Sequence, residues 1–403
     1  MELKPGYKQT EVGIIPDEWQ VSTVGREFDV KLGKMLDAEK NVGDLKPYIG
    51  NRNVRWDSID ARELPLMRMT RSDMDRFRLK KGDLLACEGG EVGRAAIWAA
   101  PIEECYYQKA LHRLRPLRGF DSRLMVGLLR LWSERGTLGN YVTQTSIAHL
   151  PREKFVDIPM PVPPQPEQTS IATALSDVDE LLSGLDKLIA KKRDLKQAAM
   201  QQLLTGKTRL PGFDGVWCTK KFGEFVSIRN QKVMPTQVDP ETLCIELEHI
   251  DQGNGRLLAQ GNASDSSASK YRFREGDILF GRLRSYLRKY WRASENGICT
   301  TEIWPLMFDN DLVNAGYVFA LVQTNAFIEA ASVSYGTHMP RADWGVVRNF
   351  PVALPPLDEQ AAIGEFLSDI EVELTALEAQ REKTRLLKQG MMQELLTGKT
   401  RLV

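Results

Sequence analysis

The chain has 403 residues, enough for about two or three domains with buried cores. Its 54 Lys and Arg balance 54 Asp and Glu, so no global field draws it to nucleic acid and any basic surface must be local. Five scattered cysteines (Cys87, Cys105, Cys218, Cys244, Cys299) without a CxxC pair, and four scattered histidines, exclude a disulfide scaffold and argue against a zinc site.

The cysteine pattern suits a reducing cytoplasm. There is no signal-peptide start, and no apolar run approaches the roughly 20 residues of a membrane helix. A protein of the cytoplasm without a membrane segment is expected.

In chain order, a short opening segment (1–19, with "KQTEVGIIPDEW") leads into a first variable block, residues 20–158. There "LKPYIGNRNVRW" mixes β-favouring residues with Asn/Gly turns, and "GDLLACEGGEVGRAAIW" reads as strand, turn, strand. "SRLMVGLLRLW", from Ser122, has the apolar density of a helix packed on that sheet. The run "MRMTRSDMDRFRLKK" carries Arg68 and Arg71 with Arg76, Arg78, Lys80 and Lys81. Such a run is either a solvated face or a phosphate-binding stripe. "YVTQTSIAHLP" follows, where Gln144, Ser146 and His149 are candidates to meet a DNA backbone or base edge, or else form a polar turn.

Residues 159–213 open in extended, proline-rich chain and continue as a long helix. Proline fits the first helical turn, so the helix should start near Pro166–Glu167, with Glu167 at the positive end of the dipole. Ile171, Leu175, Val178, Leu182, Leu185 and Ile189 recur at alternating spacings of four and three, an a/d seam. The helix should run to Leu204, about 38 residues or roughly 55 Å.

A second variable block, 214–350, repeats the plan. "TLCIELEHIDQGNGRLL" reads as strand and turn, and "LVNAGYVFALVQ", from Leu312, as a helix. "GRLRSYLRKYWR" is a strand–turn–strand unit with a basic tip. Its Arg282, Arg284, Arg288 and Lys289, interleaved with Tyr286, form the denser candidate for nucleic acid, because arginine offers paired donors to phosphate and guanine. "SVSYGTHMP" adds Tyr335, Thr337 and His338. Residues 351–403 then repeat the long helix from Pro356–Asp358 to Leu396, with its seam at Ile363, Leu367, Ile370, Leu374 and Leu377.

The two preserved blocks align without a gap, residues 163–210 on 355–402, at a constant offset of 192. About half of the aligned positions are identical, which marks a duplication. Fainter echoes join the variable blocks: "VGREF" with "KFGEF", "KKGDLLACEGG" with "REGDILFGRL", and "AHLPREKF" with "THMPRADW".

Each preserved block ends in "LLTGKTRL", whose Gly-Lys-Thr imitates a nucleotide-binding loop. That loop needs a glycine five residues before its Gly-Lys pair and sits at the start of a helix. Gln201 and Gln393 occupy the glycine's place, and both copies lie at helix ends, where the dipole repels phosphate. Gly206 and Gly398 read instead as left-handed caps, with Lys207, Arg209, Lys399 and Arg401 offsetting the carbonyl end. "VPPQ" and "LPPL" lack the polar first residue and the aromatic of an amino-methyltransferase tetrad, and no glycine-rich loop suits S-adenosylmethionine.

"KQTEVGIIPDEW", the two "PPxxEQ" helix entries, the two "LLTGKTRL" ends and "LPGFDGVW" together resemble the specificity (S) subunit of type I restriction–modification enzymes, over essentially the whole chain. The resemblance implies a mixed α/β fold with an internal pseudo-twofold repeat. Two α/β target recognition domains would each read one half of a split double-stranded DNA sequence. Two long helices would form an antiparallel coiled coil that spaces the domains by about one DNA turn. It implies docking of two methyltransferase (M) subunits and association with restriction (R) subunits. The chain would be non-catalytic and bind no cofactor or metal, with S-adenosylmethionine, ATP and Mg on its partners. A catalytic chain and a DNA-free scaffold are the rival readings; cofactor binding by the isolated chain would favour the first, and absence of salt-sensitive DNA binding the second.

Overall fold

The computed structural model describes residues 4–37, 39–144, 148–333 and 339–402. The chain forms two compact units, Met1–Leu185 with Gln380–Val403, and Asp186–Ala379. Among the described residues no helix is long and apolar enough to cross a membrane.

In the first unit a four-stranded antiparallel sheet runs in the order Phe28–Leu32, Leu111–Pro116, Leu84–Cys87, Ala95–Ile97. The strand "LLAC" is buried throughout because both faces of the sheet are covered. Leu84 and Ala86 point into a core shared with the helix Ser122–Glu134. Leu85 and Cys87 point the opposite way, into a second core beneath the sheet Tyr106–Tyr107, Asp44–Ile49, Leu66–Met69. The period-two alternation of a strand thus supplies two cores at once.

The second unit repeats this plan. Its sheet runs Val226–Ile228, Ile303–Phe308, Ile278–Gly281, Tyr290–Arg292. Ile278 and Phe280 enter one core and Leu279 another. The helices Ala315–Leu321 and Asn325–Ser332 cover the first of these, each started by a side-chain cap, Asn314 and Thr324 respectively.

Each domain enters and leaves through one paired ribbon. Gln20–Thr23 pairs antiparallel with Pro159–Val162, and Cys218–Lys221 with Pro351–Leu354.

The long helices span Gln165–Leu203 and Leu357–Leu395. Of the seam positions, Ile171, Leu175, Leu185, Ile363, Leu367 and Leu374 are buried, while Val178, Leu182, Ile370 and Leu377 are half-buried. Within each unit the helix segments run antiparallel. Leu175 shares a core with Met392 and Leu396, and one turn further on Asp179 meets Lys388 at 2.6 Å. In the second unit Met200 shares a core with Ile363 and Leu367, while Lys196 meets Glu371 at 2.8 Å. The two ion pairs are repeat equivalents, 192 residues apart at both partners.

The Gly-Lys-Thr turns close the helices. Gly206 has φ +69° and Gly398 φ +70°, the left-handed region glycine permits. The arginines that follow do more than offset a dipole. Arg401 donates to Glu167 at 2.6 and 2.9 Å, and Trp19 Nε1 donates to the same carboxylate at 2.8 Å. Arg209 and Trp217 grip Glu359 in the same way, at 2.6–3.0 Å. A full buried carboxylate outcompetes the half charge of a helix end. Each lock therefore ties the exit of one helix to the entry of the other.

An alanine at either turn is strained, at about 1–2 kcal/mol for an L residue in that conformation. At Gly206 the new Cβ would lie 3.2 Å from the Trp217 ring, whereas at Gly398 it would collide with Pro16 Cδ. Gly398→Ala should lower the melting temperature more than Gly206→Ala, and equal losses would mean that Pro16 yields freely.

Candidate nucleic-acid interface

The basic hairpin of the second domain is built as the alternation of its strands requires, with Ile278 opposite Arg292 and Phe280 opposite Tyr290. Between the strands the chain makes a turn of 3-10 helix at Ser285–Leu287, flanked by Arg284 and Arg288 at φ +52° and +55°. That turn is held from below by Ser285, whose hydroxyl donates to Ala331 O at 2.9 Å.

Its cations divide into two sets. Arg288 donates to Gln323 O at 3.1 Å and to the Asn325 side chain, and Lys289 Nζ donates to Leu247 O at 2.7 Å. These two fasten the hairpin to its own domain. Arg284 and Tyr286 are exposed. Arg282 is half-buried, with its guanidinium 5.5 Å over the Trp304 ring and a buried Nε that has no partner among the described residues. It lines a cavity of about 550 Å³ with Asn230, Tyr271, Arg341, Asp343 and Trp344.

In the first domain Arg68 is exposed and donates to Gly43 O at 3.1 Å, and Arg71 is exposed at the start of the helix Arg71–Phe77. Gln144 pairs through its backbone with Ala148, and His149 is exposed. Ser146, Tyr335, Thr337 and His338 lie outside the described residues.

The sequence reading missed three positions beside the first hairpin, Asn51, Arg94 and Glu88. Asn51 Nδ2 donates to Gly89 O at 3.0 Å, and Arg94 donates to Asn51 O at 3.1 Å. Glu88, at the end of the central strand, is half-buried; burial pushes its carboxyl up, with His149 and Lys109 opposing.

One sequence echo needs correction. "AHLPREKF" on "THMPRADW" would set His149 against His338. The structure instead bridges Gly89 to His149 and Leu283 to Arg341, so His149 corresponds to Arg341. Those two stand 192 residues apart, the offset of the long helices. The shared "Pro-Arg" word is a coincidence three residues out of register.

A cavity of about 1090 Å³ in the second unit lies between the helix segments and the recognition domain. Its Arg256 is paired to Glu371 and Glu378, and its Lys196 to Glu371. Charges so neutralised offer little to a polyanion, which makes the hairpin junctions the better candidate.

A duplicated α/β domain mounted on paired helix segments, with a cationic hairpin in its second copy, defines a recognition scaffold. The family model described as "Type I restriction modification DNA specificity domain" matches it twice, over residues 16–192 and 217–387. The chain belongs to this family: it is a type I restriction–modification specificity subunit with two target recognition domains. It is similar to the type I restriction enzyme MjaVIII specificity subunit of Methanocaldococcus jannaschii, 23% identical, with 96% of this chain and 94% of that one aligned. To the EcoKI specificity subunit of Escherichia coli it is 22% identical over 68% of this chain and 63% of that one. The crystal structure of the type I S subunit from M. genitalium has the same fold, with a TM-score of 0.59 at 15% identity, and 98% of both chains covered.

Proposed function

We propose that this chain reads a bipartite double-stranded DNA target and presents it to catalytic partners without performing a chemical step itself. Residues 20–158 read one half-site and residues 214–350 the other. The preserved segments 159–213 and 351–403, braced by 1–19, carry the helices that dock two M subunits, with R subunits joining for restriction. S-adenosylmethionine, ATP and Mg act on those partners, in the cytoplasm. Arg68, Arg71, Gln144, Ser146 and His149 are the contact candidates of the first domain. Arg282, Arg284, Tyr286, Thr337 and His338 are those of the second, with Arg288 and Lys289 shaping the hairpin behind them.

The observation that carries the reading is the paired ribbon at the base of each domain. Because Gln20–Thr23 lies beside Pro159–Val162, the block between them starts and ends at one place and can be exchanged as a unit, provided that the core it shares with the helices is kept. Replacing residues 20–158 with the corresponding block of another specificity subunit should therefore alter one half of the methylated sequence. The check is methylation-sensitive sequencing of a host carrying the chimaera and its M partner. A change in both halves would contradict independent reading.

A further inference from the structure

The repeat lets one domain act as a control for the other. Framework side chains are kept across the 192-residue offset: Glu167 and Glu359, Gln168 and Gln360, Lys388 and Lys196, Arg401 and Arg209. They also keep their partners. Gln168 accepts from Asp121 N and donates to Pro163 O, as Gln360 accepts from Asn314 N and donates to Pro355 O.

One backbone junction is kept just as closely while its side chain is not. Glu88 N donates to Ala110 O at 3.0 Å and Glu88 O accepts from Leu150 N at 2.8 Å. Arg282 N donates to Glu302 O at 2.9 Å and Arg282 O accepts from Ala342 N at 2.8 Å. Ala110 and Glu302, like Leu150 and Ala342, are separated by 192 residues. Glu88 and Arg282 therefore hold the same place, directly after the central strand, with opposite charge.

Resting on the function proposed above, we infer that Glu88 and Arg282 are equivalent specificity-determining residues of opposite chemistry, Glu88 accepting from an exocyclic base amine in one half-site and Arg282 donating to guanine in the other. A half-buried guanidinium with no carboxylate partner among the described residues and an unpartnered buried Nε is short of an acceptor. The Trp304 ring, with its centre 5.5 Å from the guanidinium carbon, restrains it through a cation–π contact, and the neighbouring Arg341 is already occupied by Glu302, at 2.8–3.1 Å. A planar fork so held matches the paired N7 and O6 acceptors of guanine. The Glu88 carboxylate receives no hydrogen bond from a described side chain, and carboxylates pair with the amino group of cytosine. Where the domains must differ in what they read, this junction differs; where they must be alike, the framework is alike.

The test uses the full chain with its M subunits and maps methylated sites for wild type, Glu88→Gln, Glu88→Ala, Arg282→Lys and Arg282→Ala. Wild type yielding no bipartite site would sink the proposed function itself. Given a bipartite site, both Glu88 variants should relax one amine-bearing position of the first half-site, and both Arg282 variants one guanine of the second. The expected loss of discrimination is about 5- to 100-fold at that position, with the other half-site intact. Arg282→Lys keeps the charge but loses the paired planar fork, so a phosphate contact would survive it while guanine discrimination would weaken, less than in Arg282→Ala. Overturning results are an unchanged target, relaxation of both halves, or weakening that is equal across sequences with a shallower salt dependence, the mark of phosphate contact.

Discussion

Glu167→Ala should destabilise the first unit by about 3 kcal/mol, more than an ordinary charge deletion, because it orphans a buried donor. Glu167 is 2% exposed and Trp19 0%. With the carboxylate gone, the Trp19 indole N–H has no acceptor and no route to water, which alone costs about 1–3 kcal/mol. Arg401 keeps Glu18 at 2.8 Å and is 21% exposed, so its share falls below that of a fully buried pair. Glu167→Gln retains an acceptor for Trp19 and should cost roughly half as much. Urea unfolding resolved by hydrogen exchange within the first unit measures both. An alanine variant within about 0.5 kcal/mol of wild type would show that the lock contributes geometry and no stability.

Acid should weaken the same unit through His112, which is 0% exposed. Its Nε2 lies 2.9 Å from Leu150 O, an acceptor only, so the proton sits on Nε2 and Nδ1 is bare. Burial pushes the pKa down to about 4 from an ordinary 6.5. The unfolded chain therefore takes up the proton first. Stability is fully present above pH 6.5 and is lost as pH falls toward 4, by roughly 3 kcal/mol at 1.36 kcal/mol per pH unit. His112→Gln keeps a donor for Leu150 O and cannot titrate, so its stability should vary less with pH across this window. Parallel pH profiles for wild type and variant would exclude His112 as the source.

The duplication, the helix starts and ends, the seam and the strand–turn–strand plan were all legible in the sequence, because each is written in short-range periodicity or in the constant offset. Arg288 and Lys289 looked identical to Arg284 in the basic run. Only their acceptors, Gln323 O and Leu247 O, tens of residues away in the chain, separate anchors from free cations. The role of Arg401 was equally hidden, since its carboxylate lies 234 residues upstream. Glu88 escaped notice for another reason: in a strand end with no neighbouring cation run, a lone glutamate carries no pattern. Its meaning comes from superposing the repeats at a register that the "Pro-Arg" coincidence had obscured.

The division of the chain also sets an order of assembly. The second unit is drawn from one continuous run, Asp186–Ala379, so its core is complete in sequence before the first unit resumes at Gln380. The first unit is interrupted. Trp19, Ile171 and Leu175 share their core with Met392, Leu395 and Leu396, which are made only after the whole of the second unit. At about 5–20 residues per second, translating the intervening unit takes on the order of 10–40 s. For that interval the core of the first unit lacks the side chains that close it, so the second unit can complete its core before the first.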